Sequence, residues 1–163
     1  MLGEVAQILP ARRYEMPESD EQVSLGSVFE DTVARYPDNV MLIFEGRQWT
    51  YSEFNSEVNR FAHVLASKGV SRGDTIAIFM ENRAEYVLAM LALVKLGASA
   101  SLVNNSLTGA ALVHCLRATN ACGCILGEER SDAFDAIRSE LNWAAAEPVL
   151  WFPDGGRCQP PRW

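Results

Sequence analysis

The chain is 163 residues long, 48% hydrophobic and 21% charged, with a formal net charge of −7. That length suits one domain of about 150 residues, and the composition excludes a disordered chain, a collagen-like repeat and a small disulfide-stapled scaffold. Fourteen Lys and Arg against 21 Asp and Glu argue against the broad basic face with which nucleic-acid binders meet phosphates, so no nucleic acid partner is expected.

Residues 1–23 read as a lead-in segment, because Pro10, Pro17 and the acidic residues Glu18, Asp20 and Glu21 interrupt any apolar period. Glu4 comes early and the basic pair Arg12-Arg13 follows Pro10, the reverse of a secretory leader, which makes a cytoplasmic location the expectation. The longest strongly apolar stretch, residues 86–94, has nine residues. A bilayer-spanning helix needs about 20, so no transmembrane segment is expected.

Regular structure begins at Ser24. Leu25, Val28, Phe29, Thr32, Val33 and Tyr36 recur at helical spacing until Pro37 stops the run. The apolar residues 40–44 return after Glu45-Gly46 through Gln48, Trp49 and Thr50, which predicts a small β-hairpin. Thr50 and Glu53 then form a T-x-x-E capping box, and Phe54, Val58, Phe61, Ala62 and Leu65 follow at helical spacing up to Gly69. Phe29, Phe54 and Phe61 lie on these core stripes, which is the simpler reading than a cofactor box.

Residues 75–80 form an uninterrupted β-rich run, as expected of a strand covered on both faces. Asn82 is placed to cap the next helix, residues 83–96, which is apolar nearly all round and is expected to wedge between layers. The alternation continues with a strand at 99–103, a helix at 108–119, a strand at 122–126, a helix at 131–141 and a strand at 149–152. Strands separated by single helices predict βαβ units. The fold class is therefore α/β: a doubly wound, mostly parallel sheet with helices on both faces, plus the small β-hairpin near the amino terminus. Residues 154–163, rich in Gly, Pro and Arg, read as a tail.

Cys115, Cys122, Cys124 and Cys158 lack the spacing of a metal site. Cys122 and Cys124 would lie on one strand face about 6.5–7 Å apart, at or beyond disulfide reach, so buried reduced thiols are the expectation. His63 and His114 fall on helices with no nucleophile or acidic partner at a recognisable spacing, and a packing or solvated role is expected for both. His114 and Cys115 are helical neighbours and do not face each other.

Ligands of an open parallel sheet bind beyond the carboxyl ends of its strands, which directs attention to residues 80–82, 104–107 and 127–129. Neither G-x-G-x-x-G nor G-x-x-x-x-G-K-[ST] occurs anywhere. A response-regulator receiver would need clustered carboxylates for Mg²⁺ and a phosphorylatable Asp, but the strand ends offer Glu81 beside Asn82, then Asn104-Asn105. The loop Asn104-Asn105-Ser106-Leu107-Thr108 leaves a strand and enters a helix, where amide groups could meet a polar ligand. The same residue types also simply make turns and caps.

Arg35-Tyr36-Pro37-Asp38, Leu42-Ile43-Phe44-Glu45-Gly46, Trp49-Thr50-Tyr51, Asn59-Arg60, Glu81-Asn82-Arg83, Leu96-Gly97-Ala98 and Leu112-Val113-His114-Cys115-Leu116, in that order, resemble the start of adenylate-forming acyl-CoA synthetases. The run from Phe44 to Tyr51 together with Glu81-Asn82-Arg83 is most similar to the fatty acid transport protein, or very-long-chain acyl-CoA synthetase, branch. The resemblance covers about residues 24–128 and makes residues 24–153 the amino-terminal lobe of an AMP-binding domain.

What it implies is a ligase that uses ATP and Mg²⁺ to turn a fatty acid into an acyl-adenylate and then passes the acyl group to coenzyme A. The family's Ser/Thr/Gly-rich loop ending in Lys, its Tyr-Gly-x-Thr-Glu-like segment, its ribose-binding Asp and its carboxy-terminal Lys match no stretch of this chain. The resemblance thus implies a truncated piece of a longer ligase that is inactive alone, binds none of those cofactors and carries no catalytic or metal-ligating residue. Asn104 and Asn105 correspond to a loop near the acyl side and are the substrate-channel candidates. A fatty acid is the implied substrate, and peripheral membrane association stays open beside the cytoplasmic location. The alternative is a non-catalytic binding or interaction module built on the same lobe.

Overall fold

The computed structural model describes residues 23–141, Trp143 and residues 149–152. Residues 1–22 of the expected lead-in, the tail at 154–163 and Cys158 lie outside the described residues. In chain order the elements are α1 (Leu25–Arg35), β1 (Val40–Phe44), β2 (Arg47–Thr50), α2 (Tyr51–Ser67), β3 (Thr75–Phe79), α3 (Ala84–Lys95), β4 (Ser99–Leu102), α4 (Gly109–Ala118), β5 (Gly123–Gly127), α5 (Ser131–Arg138) and β6 (Val149–Phe152). A single 3₁₀ turn, Glu128–Arg130, joins β5 to α5.

Local chemistry sets the amino-terminal elements. Ser24 and Ser27 cap α1 reciprocally. Strands β1 and β2 pair antiparallel, with Phe44 opposite Arg47. Between them Glu45 and Gly46 both take positive φ, 48° and 80°, as a two-residue type I′ hairpin turn requires. The Thr50 hydroxyl accepts from Glu53 N–H at 3.2 Å, while the Glu53 carboxylate accepts from Thr50 N–H at 2.9 Å, which completes the expected capping box of α2.

The remaining strands form a four-stranded parallel sheet in the order β4-β3-β5-β6. Side-chain alternation along a strand divides the core in two. Ile76, Ile78 and Met80 join Phe54, Val58, Leu65, Leu88 and Leu93 on the face covered by α1, α2 and α3. Ala77, Phe79, Cys124 and Leu126 join Leu112, Leu116, Phe134 and Ile137 of α4 and α5 on the other face. The sheet is therefore doubly wound. As expected, α3 is wedged: it buries Leu88, Ala89, Leu91, Ala92 and Leu93, and at its last turn Lys95 Nζ donates to Asn55 Oδ1 (2.7 Å) and Asn59 Oδ1 (2.8 Å) of α2 and lies 3.0 Å from the Glu30 carboxylate of α1.

Four expectations need correction. Asn82 does not cap α3: Arg83 occupies the N-cap position with extended backbone (φ −158°, ψ 172°) and makes no side-chain cap bond. Its largely buried guanidinium faces Glu85 two residues on and, across the sheet edge, Glu129, so one local and one tertiary ion pair accompany the extended backbone at Arg83. Thr108 sits at the N-cap of α4 without a side-chain bond. The last helix starts at Ser131 as expected but ends at Arg138, short of the expected Leu141. Of the described cysteines, all free, only Cys124 is buried; Cys115 is half-buried and Cys122, ahead of β5, is exposed. His63 and His114 are exposed, in keeping with solvated roles.

Candidate functional site

The candidate site lies at the carboxyl edge of the sheet. After β3 the chain turns to the α3 face, and after β5 it turns to the α5 face, so the two loops diverge and leave a crevice between neighbouring strands. This is the topological switch point at which open α/β sheets receive ligands. The β3 loop presents Glu81, Asn82 and Arg83; the β5 side presents Gly127, Glu129 and Arg130.

Charged side chains bridge that crevice. Glu129 Oε1 accepts from Glu81 N–H at 2.6 Å, and its Oε2 lies 3.6 Å from Arg83 Nη1. Arg130 pairs with the carboxylate of Glu81. The Arg83 and Glu129 side chains are 13% and 17% exposed, so their attraction is less screened by water than that of a surface pair.

Three hollows lie along this edge around Asn82. The first, about 390 Å³, lies between Phe44, Arg47 and Trp49 of the hairpin and Glu81, Arg83 and Glu129 of the sheet edge. There the Arg47 guanidinium stacks 4.1 Å from the centre of the Trp49 ring and contacts Glu57 at 2.9 Å. The second, about 200 Å³, is lined mainly by Leu42, Phe44, Ala84 and Val87 with Tyr86. The third, about 330 Å³, lies among Met80, Tyr86, Leu102, Asn104 and Asn105. Asn82 lines all three.

The two sequence candidates therefore border a hollow at the sheet edge, but they differ. Asn104 is exposed and its Oδ1 accepts from Ser106 N–H and Ser106 Oγ–H, both at 2.9 Å. That is an Asx turn, which commits the amide oxygen to the loop itself. Asn105 is half-buried. Tyr86, whose hydroxyl is pushed above its ordinary pKa by burial, shares the hollow as a neutral donor at physiological pH. In the sequence Asn82 reads as a helix cap, and neither Tyr86 nor Arg83 stands out as a site residue. Their position just past a strand terminus was the available signal; their convergence depends on the β3–β5 and hairpin contacts, which cross the chain.

The donor set does not fit a triphosphate with its Mg²⁺. Glu81 and Glu129 each face a guanidinium, which leaves no open carboxylate pair for a hard cation. Among the described residues no three His, Cys, Asp or Glu side chains could hold a metal ion. The loops also lack the glycine-rich run of backbone N–H groups that cradles phosphates.

The fold defines the class: a doubly wound α/β lobe with a switch-point cleft at the carboxyl edge of its sheet. Residues 29–151 match the AMP-binding enzyme family, and the chain belongs to that family. It is 45% identical over 97 residues to a medium/long-chain fatty acid CoA ligase of Mycobacterium tuberculosis, covering 60% of this chain and 16% of the relative. To long-chain fatty acid transport protein 1 of Bos taurus it is 32% identical over 120 residues, covering 72% and 19%. Among solved structures, the anthranilate CoA ligase AuaEII in complex with anthranoyl-AMP superposes with a TM-score of 0.74 at 23% identity, over 90% of this chain and 28% of that one, a likeness of fold. The matched part thus spans 16% and 19% of the length of these two sequence relatives. Among the described residues no helix is long and apolar enough to cross a membrane.

Proposed function

We propose that this chain is the amino-terminal lobe of a fatty acid CoA ligase acting on long or very long acyl chains, and that by itself it is catalytically inert. The reading is carried by the family match over residues 29–151 with fatty acid CoA ligases and fatty acid transport proteins as relatives. In the whole ligase a carboxylate is activated as an acyl-adenylate and transferred to coenzyme A. The groups that handle ATP, Mg²⁺ and the thiol belong to other parts of such a ligase, since the charged residues of this lobe neutralise one another. The lobe supplies a rigid edge: the apolar wall of Leu42, Phe44 and Val87, and the polar corner of Asn82, Tyr86 and Asn105, with Asn104 shaping the loop. Asn104 and Asn105 border the acyl channel in this reading. Exposed apolar side chains such as Leu25 and Ile43 suit a lobe that packs against the remainder of a ligase or rests on a lipid surface.

Two measurements test this. Incubated with a long-chain fatty acid, ATP and Mg²⁺, the chain alone releases no pyrophosphate; turnover above background overturns the inert-lobe reading. A chimera in which residues 24–152 replace the matching lobe of the Mycobacterium tuberculosis relative should release pyrophosphate on adding a fatty acid. Asn105→Ala in that chimera should raise KM for the acyl substrate and leave KM for ATP unchanged. A folded chimera without activity would overturn the assignment.

A further inference from the structure

Glu129 is placed as a ligand would be. It follows β5 at the switch point, its side chain is 17% exposed, and its two carboxylate oxygens face two different groups: Oε1 accepts from Glu81 N–H at 2.6 Å, and Oε2 lies 3.6 Å from Arg83 Nη1, an ion-pair distance without a hydrogen bond. The carboxylate folds back over Gly127, where an added Cβ would fall 2.6 Å from the carboxylate carbon. Gly127 has φ −77° and ψ 144°, a conformation any residue adopts. What glycine supplies here is therefore open space above the strand end, not backbone freedom. Arg130 pairs with the carboxylate of Glu81, which offsets that negative charge beside the site.

We infer that the switch point contains a carboxylate-sized anion site, formed by the Glu81 N–H, the Arg83 guanidinium and the bare face of Gly127, and that the chain fills it with its own Glu129. The groups that meet the carboxylate are an N–H and a guanidinium, so the site selects an anion over a cation. The space above Gly127 holds one planar group, whose two oxygens and carbon all lie within 2.6 Å of where a Cβ would stand; a monocarboxylate has that shape, whereas a tetrahedral oxyanion places further oxygens out of the plane. A small free carboxylate takes the position once the Glu129 side chain is removed. This inference does not depend on the ligase reading, because it concerns only groups within the chain.

The Glu81 amide in a ¹H–¹⁵N spectrum of the full chain reports on the site. In Glu129→Ala this resonance should move, and sodium acetate should return it saturably toward the wild-type position; sodium chloride at equal ionic strength should not. Sodium phosphate should act more weakly than acetate. The wild-type chain, already occupied, should ignore acetate, and in Gly127→Ala/Glu129→Ala the added Cβ should abolish the acetate response. Acetate acting no more than chloride in Glu129→Ala, or acting equally in the double variant, overturns the site; phosphate surpassing acetate overturns its carboxylate assignment. Glu129→Gln keeps an acceptor oxygen and tests the contact even if Glu129→Ala does not fold. Its Glu81 amide should stay near the wild-type position and ignore acetate, and an acetate-sensitive Glu81 amide in that variant overturns the inference.

Discussion

At the scale of single residues, position rather than type sets reactivity. Cys124 is fully buried, and burial pushes its thiol well above the ordinary value of 9.0 against the smaller opposing effect of a backbone hydrogen bond at Phe79. Cys122, two residues earlier, is exposed. Iodoacetamide at neutral pH should label Cys122 in the native chain and Cys124 only after denaturation, as read by peptide mass; native labelling of Cys124 at the rate of Cys122 would show that its cover is wrong. The sign of the pH effect follows from the raised value. Cys124 contributes stability that is complete below the ordinary thiol value of 9.0 and declines as the pH climbs above it, because there the unfolded chain releases a proton that the folded chain keeps. Tyr86, also raised by burial, adds to the same alkaline loss above its own ordinary range.

Among the elements, two helix starts that look alike in sequence behave differently. Thr50 precedes α2 and Thr108 precedes α4, and both residues carry a hydroxyl suited to capping. Only Thr50 uses it, in the reciprocal pair with Glu53, whereas Thr108 makes no side-chain cap bond. Thr50→Ala should therefore cost about 1 kcal/mol, and Thr108→Ala should stay within about 0.5 kcal/mol. Urea unfolding midpoints of the two variants provide the comparison, and equal losses would contradict it. The contrast has a visible cause: Glu53 stands three residues after Thr50, while Ala111 stands three after Thr108 and offers no reciprocal acceptor.

For the molecule as a whole, the sheet is a partition. Ile78 faces the core under α1, α2 and α3, and Ile137 belongs to the core under α4 and α5. Ile78→Val and Ile137→Val should each cost about 0.5–1.5 kcal/mol, and the double variant should lose their sum within about 0.5 kcal/mol, because the two sites share no packing partners. Chemical denaturation measures all three, and a large departure from the sum would mean that the two layers are coupled through the strands. The same partition explains the site. A sheet wound on both faces forces the loops after β3 and β5 apart, and the opening between them is what Glu81, Arg83, Glu129 and Arg130 bridge.

The amino-acid sequence by itself determined the elements, because their causes lie within a few residues. The stripe from Leu25 to Tyr36, the Glu45-Gly46 turn, the Thr50-x-x-Glu53 box and the apolar run of β3 each carry their instruction locally, and their alternation implies a parallel sheet. The family, too, was legible in short motifs such as Glu81-Asn82-Arg83. Tertiary structure alone decided the strand order β4-β3-β5-β6 and the course of the β3 loop, where Arg83 displaced Asn82 from the helix cap. It also decided that Glu129, 48 residues from Glu81, would close the switch point. Each of those outcomes rests on contacts between groups far apart in the chain, and such contacts leave no periodicity and no fixed spacing to read.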